Sequence, residues 1–192
     1  QYEPKWDGFR GVLENLDGEL HLWSRKERPL LRYFPELRPL GELLPPKSAL
    51  DGEIVIARDG VLEFDLMQMR LHPAESRINK LSAEIPAEFI AFDVLLWKGK
   101  PLHELPLKKR RAQLEKLAKG FRLSPCTLDP EVAGEWLDTF LSDLEPVLRK
   151  FGYQYVDAHL GLELGAPRRF VFFVRAGLTQ MWTTVHGLTA AS

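Results

Sequence analysis

One cysteine, Cys126, stands alone in 192 residues. That excludes a disulfide framework and a cysteine-built metal cage, and it makes a reducing cytosol the expected compartment. Long apolar runs are missing too: no stretch approaches the ~20 residues a membrane-spanning helix needs. No membrane partner is expected. The first residues lack the charged and apolar regions of a signal peptide. Charge of one sign is not in excess, since the formal net charge is −1, so the whole-chain balance does not announce a nucleic-acid binder. There is no Gly-rich phosphate loop of Walker type, no internal repeat and no low-complexity tract. His21, His72, His103, His159 and His186 are scattered, without the paired spacing of a metal site.

What is present reads as globular. Apolar residues make up 45% of the chain and charged residues 28%, a balance that supports one ordinary domain with a sizeable core. Charge is uneven locally. Between Pro101 and Cys126 seven basic residues (Lys108, Lys109, Arg110, Arg111, Lys116, Lys119, Arg122) face two acids, Glu104 and Glu115. Such a run is either a phosphate-binding surface or a solvated helix face. The start is abrupt, and a fragment of a longer chain is the expectation.

Two strand-like runs, 10–14 and 19–24, flank Asn15-Leu16-Asp17-Gly18, a hairpin signal. Residues 34–40 carry helical apolar spacing that Pro39 limits. "ALDGEIVIA" at 49–57 reads as a strand, turned by Arg58-Asp59-Gly60 towards Val61-Leu62-Glu63-Phe64. "EFIAFDVLLW" at 88–97 is apolar enough for a buried central strand, with Asp93 its exception. "PLKKRRAQLEKLAKG" begins with proline, ends with glycine, and places Leu107, Leu114 and Leu117 on one side of a helix. A second helix follows, with Asp129 as cap, Pro130 in its first turn, and a stripe of Val132, Trp136, Phe140 and Leu144 that Pro146 ends or kinks. "RRFVFFVRAG" and "TQMWTTVHG" read as strands. The class is α+β with antiparallel sheets.

Four short stretches belong together: "EPKWDGFR", "SRKERP", "LDGEIV" and "FIAFDVLLW". Singly each is weak, because four-residue patterns recur by chance. In this order and at this spacing they resemble the nucleotidyltransferase motifs of ATP-dependent DNA ligases. The intervening "RYFPEL", "LHPAESR" and "PLKKRRAQLEKL" resemble the small bacterial ligases of break repair. The resemblance runs from Tyr2 to about Asp138, close to three quarters of the chain. It implies an ATP-grasp-like ligase catalytic core of antiparallel sheets flanked by helices, with residues 1–140 as adenylation core and 141–192 as an atypical remainder of the same domain. The chain ends before room for the OB-fold domain that most ligases carry, so none is expected.

The resemblance also assigns roles. Lys5 attacks the α-phosphate of ATP, releases pyrophosphate and becomes a lysyl-adenylate; AMP then passes to a DNA 5′-phosphate, and a 3′-hydroxyl displaces it. The attacking amine must be uncharged, and an ordinary lysine, with pKa ~10.4, is unprotonated in only about one molecule in a thousand at neutral pH. Burial by Trp6 and Phe9, with nearby cations, is the expected remedy. Glu3 lies at the adenine end. Asp7 and Gly8 shape the loop, and Arg10 reaches the nucleotide or the nick. Ser24 and Arg25 form the next motif, the arginine meeting ribose or DNA phosphate. Asp51 and Gly52 lead to Glu53, which holds a ribose hydroxyl or the metal. Phe92 stacks on adenine. Without the other motifs, Glu53 reads as strand decoration, Phe92 as core, Arg25, Lys26 and Arg28 as surface charge, and Asp93 as a carboxylate bonded to neighbouring backbone.

The implied partners are ATP, Mg²⁺ or Mn²⁺, nicked or broken double-stranded DNA and other end-joining repair proteins, in the cytoplasm, at the nucleoid if the source is bacterial. Two further motifs of a complete ligase domain depart from pattern. In "GYQYVDAH", Gln154 stands where glutamate is expected and His159 where lysine is; in "FVFFVR", Phe173 and Arg175 stand for two lysines, and Glu163 is a further candidate acid. Glutamine brings no charge to a magnesium site, and phenylalanine neutralises no phosphate. A catalytically impaired nucleotide- or DNA-binding fragment therefore stays open, as does an RNA ligase or capping-type nucleotidyltransferase.

Overall fold

The computed structural model describes residues 1–58, 61–136, 155–163 and 169–177. They fall into two compact units, one of residues 6–124, the other of residues 1–5 with those after 124.

A six-stranded sheet organises the first unit. Its strands are β1 (Phe9–Leu16), β2 (Glu19–Ser24), β3 (Ser48–Val55), β6 (Glu88–Trp97), β7 (Lys100–Pro101) and β8 (Arg122–Leu123), and its order is β2-β1-β3-β6-β7 with β8 also on β6. The pairings are antiparallel except β6–β8, which is parallel. Helix α4 (Leu107–Leu117) lies between β6 and β8 in sequence, as a parallel connection requires. The hairpin between β1 and β2 forms at the Asp-Gly step, where Asp17 has φ 49° and Gly18 φ 103°. Asn15 secures it: its Oδ1 accepts the Gly18 N–H at 2.8 Å, and its Nδ2 donates to the Leu44 carbonyl at 2.6 Å.

Alternation puts Leu13, Leu22, Leu50, Ile54 and Phe89 in one buried cluster with Phe34, Leu44, Met67 and Leu114. Around it the structure differs from the sequence reading in several places. Residues 31–37 are two short 3-10 turns, Leu31–Tyr33 and Pro35–Leu37; Pro39 caps α1 (Leu40–Leu43), since proline starts a helix more readily than it continues one. The strand expected to reach Phe64 stops early: β4 (Ala57–Arg58) pairs β5 (Val61–Leu62), and Phe64 opens α2 (Phe64–Arg70). Phe64 packs edge-on against Phe9, with ring centroids 5.8 Å apart. Helix α3 (Glu75–Glu84) buries Ile78 and Leu81.

Arg70, at the end of α2, is fully buried. Its guanidinium meets Glu36 at 2.6 and 2.8 Å, donates to the carbonyls of Ile85 (3.0 Å) and Tyr33 (2.8 Å), and lies 5.1 Å over the Phe34 ring. The basic run is also less exposed than its composition suggests. Arg110 and Arg111 of α4 are buried, Arg111 pairing with Glu115 at 2.7 Å, while Arg122 pairs with Glu88.

In the second unit, Tyr2 and Thr127 form an antiparallel bridge, with N···O distances of 2.8 and 3.0 Å. The expected helix begins at 130, and Asp129 Oδ1 accepts the Glu131 N–H at 2.9 Å as its cap. Phe140, Leu144, Pro146, Gln154 and the 179–187 stretch lie outside the described residues. Strands β9 (Tyr155–Glu163) and β10 (Arg169–Gly177) form an antiparallel pair in which His159 sits opposite Phe173 and Arg175 opposite Asp157.

Candidate active site

The two Asp-Gly steps in "WDGFR" and "LDGEI" serve packing before chemistry. A Cβ on Gly8 would fall 2.1 Å from the Ile54 carbonyl oxygen, and one on Gly52 would fall 2.5 Å from both the Ile90 oxygen and the Phe89 ring. Only glycine lets β1 and β6 approach β3 this closely. That closeness aligns the next residues: Arg10 lies opposite Glu53, and Val12 opposite Asp51.

Asp51 holds Arg10 in a fork. Arg10 Nε donates to Asp51 Oδ1 at 3.2 Å and Nη2 to Oδ2 at 2.7 Å. The guanidinium carbon also lies 5.6 Å from the centre of the Phe92 ring, and Phe92 is buried. Ser24 works on the backbone. Its Oγ accepts the Arg28 N–H at 3.0 Å, its N–H donates to the Arg28 carbonyl at 2.9 Å, and Glu27 takes φ 55°. The tight turn leaves Arg25, Lys26 and Arg28 exposed.

Arg10 and the turn at residues 24–28 open onto one pocket of about 660 Å³, lined by Gly8, Arg10, Ser24, Arg25, Lys26, Arg28 and Glu53, with Phe9, Leu30 and Leu71 as its apolar part. Four cations meet one carboxylate. Glu53 is pushed from 4.5 up to about 7, chiefly by burial; Asp51 and Asp7 add to the rise, while Arg10 and Arg25 oppose it. Near neutrality this side chain is divided between its protonated and charged forms, in a pocket lined by four cationic side chains.

The structure therefore brings together residues from three of the four sequence motifs: Arg10, Ser24 with Arg25, and Asp51 with Glu53. Phe92, from the fourth, lies beneath Arg10. Lys5 and Glu3 belong to the other unit, Lys5 exposed and Glu3 buried with a hydrogen bond from the Gln1 side chain. Within the first unit, Trp6 donates its Nε1–H to Ser124 Oγ at 2.9 Å, and Phe9 packs on Phe34 and Phe64. Asp93 does bond to neighbouring backbone, through the Val94 N–H at 2.9 Å, and it also pairs with Arg110. Leu71 carries no sequence signal for its place on the pocket wall, because only the fold brings the end of α2 there. Among the described residues no group of three or more His, Cys, Asp and Glu side chains gathers as a metal cluster. None of the described helices is long and apolar enough to cross a membrane.

Residues 1–127 match the family described as ATP dependent DNA ligase domain. The chain belongs to that family. It is 48% identical over 145 residues to DNA ligase C2 of Mycolicibacterium smegmatis and 41% identical over 148 residues to DNA ligase C of Mycobacterium tuberculosis, covering 72% of this chain and 41% of the relative each time. The ligase domain of LigD from M. tuberculosis, a solved structure, superposes with a TM-score of 0.52 at 33% identity, over 64% of this chain and 38% of that one. The ligase-family chain thus spans about two fifths of the length of these relatives. A mycobacterial DNA ligase D solved with ATP and MES superposes equally well, with a TM-score of 0.52 at 33% identity over 63% of this chain and 38% of that one.

Proposed function

We propose that this chain is the adenylation part of an ATP-dependent DNA ligase that joins nicked or broken double-stranded DNA in repair, with residues 1–140 as the nucleotidyltransferase core and 141–192 completing the same domain. One observation carries the reading: three separated motifs converge on one basic pocket, with a single carboxylate of near-neutral pKa on its wall.

Lys5 Nζ, deprotonated, attacks the α-phosphorus of ATP. A P–N bond forms, the bond to the β-phosphate oxygen breaks, and pyrophosphate leaves with the electron pair. An oxygen of a DNA 5′-phosphate then attacks the AMP phosphorus, the P–N bond breaks and its electron pair returns to Lys5 Nζ. The 3′-hydroxyl oxygen at the nick, giving up its proton, next attacks the DNA 5′-phosphorus, and AMP leaves with the electron pair. Little covalent work falls to the other residues, because phosphoryl-type transfer asks mainly for positioning and charge neutralisation. Arg10, braced by Asp51, and Arg25 supply fixed positive charge to phosphate oxygens. Glu53 is placed to accept a ribose hydroxyl. The motif resemblance assigns Phe92 to the adenine ring and Glu3 to the adenine end, although the Phe92 ring is buried beneath Arg10.

Magnesium, or manganese, fits as an ion arriving with the triphosphate. Glu53 is the one acid on the pocket wall, and a hard cation bound by one carboxylate plus substrate phosphates is a common arrangement. When bound, the ion supplies charge neutralisation on the phosphate oxygens. Other end-joining repair proteins are the proposed partners, the cytoplasm or bacterial nucleoid the proposed site of action.

A second reading has its own support. Gln154, His159, Phe173 and Arg175 stand where a complete ligase domain has a glutamate and lysines, which favours a chain that binds nucleotide or DNA without transferring AMP. Intact mass after incubation with ATP and a divalent cation, beside a Lys5→Ala control, separates the two. An AMP adduct that the control lacks supports the ligase reading; a folded chain that binds ATP and gains no mass rejects it for the impaired one. Labelling from GTP instead of ATP points to the capping-type alternative.

A further inference from the structure

Along β6, Ala91 lies opposite Gly52 and Asp93 opposite Asp51, so the strand register steps over Phe92. Phe92 is the extra residue of a β-bulge, an insertion that bends a strand and re-aims a side chain. Here the re-aimed ring is the one beneath the Arg10 guanidinium.

The residue after the bulge is tied from two sides. Asp93 Oδ1 accepts the Val94 N–H at 2.9 Å. Both carboxylate oxygens also accept from Arg110 on α4: Nε at 2.9 and 3.2 Å, Nη2 at 2.9 Å. Arg110 Nη1 donates to the carbonyls of Leu105 at 2.6 Å and His103 at 3.3 Å, which joins the bulge to the turn leading into α4. The pair is buried, with side-chain exposures of 8% and 3%.

A buried ion pair is weak evidence of a stabilising role, because well-packed apolar residues of similar volume often do as well or better. It is an effective means of fixing geometry, since a forked guanidinium meets a planar carboxylate in one orientation. We infer that Asp93 and Arg110 are positioning residues for the nucleotide site: the pair holds the bulge, the bulge aims Phe92, and Phe92 seats Arg10 beside Asp51. This inference rests on the ligase reading and adds to it two residues that need not touch nucleotide.

The test uses the full 192-residue chain. Three quantities are measured: the ATP dissociation constant by calorimetry, the rate of lysyl-adduct formation, and the thermal midpoint. The double variant Asp93→Leu/Arg110→Met removes both charges at comparable volume, so neither is left stranded. The expected result is a retained midpoint with ATP affinity weakened about tenfold or more, as small displacements of positioning groups produce. Arg110→Lys keeps the charge, loses the fork, and is expected to show the same loss in a folded chain. A double variant with wild-type affinity and adduct rate makes the pair mere packing and overturns the proposal. If the double variant does not fold, Arg110→Lys decides in the same way. A wild type that neither binds ATP nor forms adduct sinks the ligase reading, and the positioning role with it; wild-type binding with unaffected variants sinks the positioning role alone.

Discussion

Arg10 on β1 and Asp51 on β3 are diagonal neighbours, two residues apart in register, and close a two-pronged ion pair, 2.7 Å at its shorter arm. The arginine is partly open to water, with 42% of its side chain exposed, while Asp51 keeps only 8%. Solvent screening on one side places the pair between the surface and buried limits. Asp51→Ala is therefore expected to cost about 1–2 kcal/mol, less than the ~3–5 kcal/mol of a fully buried broken pair. Its effect on adduct formation is expected to be larger than that stability loss implies, because Arg10 is released from the pocket wall. Denaturant titration beside the adduct assay checks both; a variant with unchanged adduct rate shows that Arg10 needs no brace.

Glu53 makes stability depend on pH in a definite direction. Its folded pKa, about 7, lies above the ordinary 4.5. Between those values the folded state keeps a proton that the unfolded state has lost, so stability falls as pH rises through the window and levels off above it. Glu53→Gln has no such proton and is expected to show a flatter stability curve between these limits. Unfolding midpoints at a series of pH values measure it. An unchanged slope in the variant assigns the pH dependence to other groups.

Arg70 and Glu36 test the interior. Glu36→Ala strands a fully buried guanidinium and is expected to destabilise by about 3–5 kcal/mol. Replacing both partners by apolar residues is expected to recover most of that loss. Urea titration of the single and double variants decides, and a single variant within 1 kcal/mol or so of wild type contradicts the stated network.

Gly52→Ala places a methyl group against backbone and a packed ring. Overpacking of this kind costs typically about 1–3 kcal/mol. Because Gly52 lies between Asp51 and Glu53, the same change is expected to slow adduct formation. A stable, fully active alanine variant rules out the close approach of β3 and β6.

The turn at Arg25, Lys26 and Arg28 gives a salt-dependent readout. If these cations meet DNA phosphates, each neutral replacement lowers the log–log slope of nicked-duplex affinity against salt by about 0.9. An unchanged slope confines them to the nucleotide or to solvent.

Much of this was legible in the chain. The hairpin at Asp17-Gly18, the buried strand containing Phe92 and the helix framed by Pro106 and Gly120 follow from local chemistry, and each is determined by residues a few positions apart. The motifs also located Arg10, Ser24, Arg25 and Glu53 before geometry joined them. What stayed hidden depends on partners distant in sequence. The bulge at Phe92 exists only in register with β3; the burial of Arg110 requires Asp93, seventeen positions earlier, and two carbonyls. Leu71 lines the pocket next to Arg70, whose partner Glu36 lies thirty-four positions earlier. Helix α3 is not legible locally because its exposed face dominates its composition, with only Ile78 and Leu81 buried.

The "SRKERP" turn that rims the pocket also closes a boundary. The Leu30 N–H donates to the Leu22 carbonyl at 2.7 Å and the Ser24 N–H to the Arg28 carbonyl at 2.9 Å, with Pro29 bridging Trp23 between them. These bonds occupy outward groups of β2, the last strand on that side of the sheet among the described residues, and proline has no N–H to offer a newcomer. A sheet margin covered in this way is a poor template for a strand from another molecule. The loop that gathers positive charge around the pocket thus also occupies the backbone of β2 from Leu22 to Ser24.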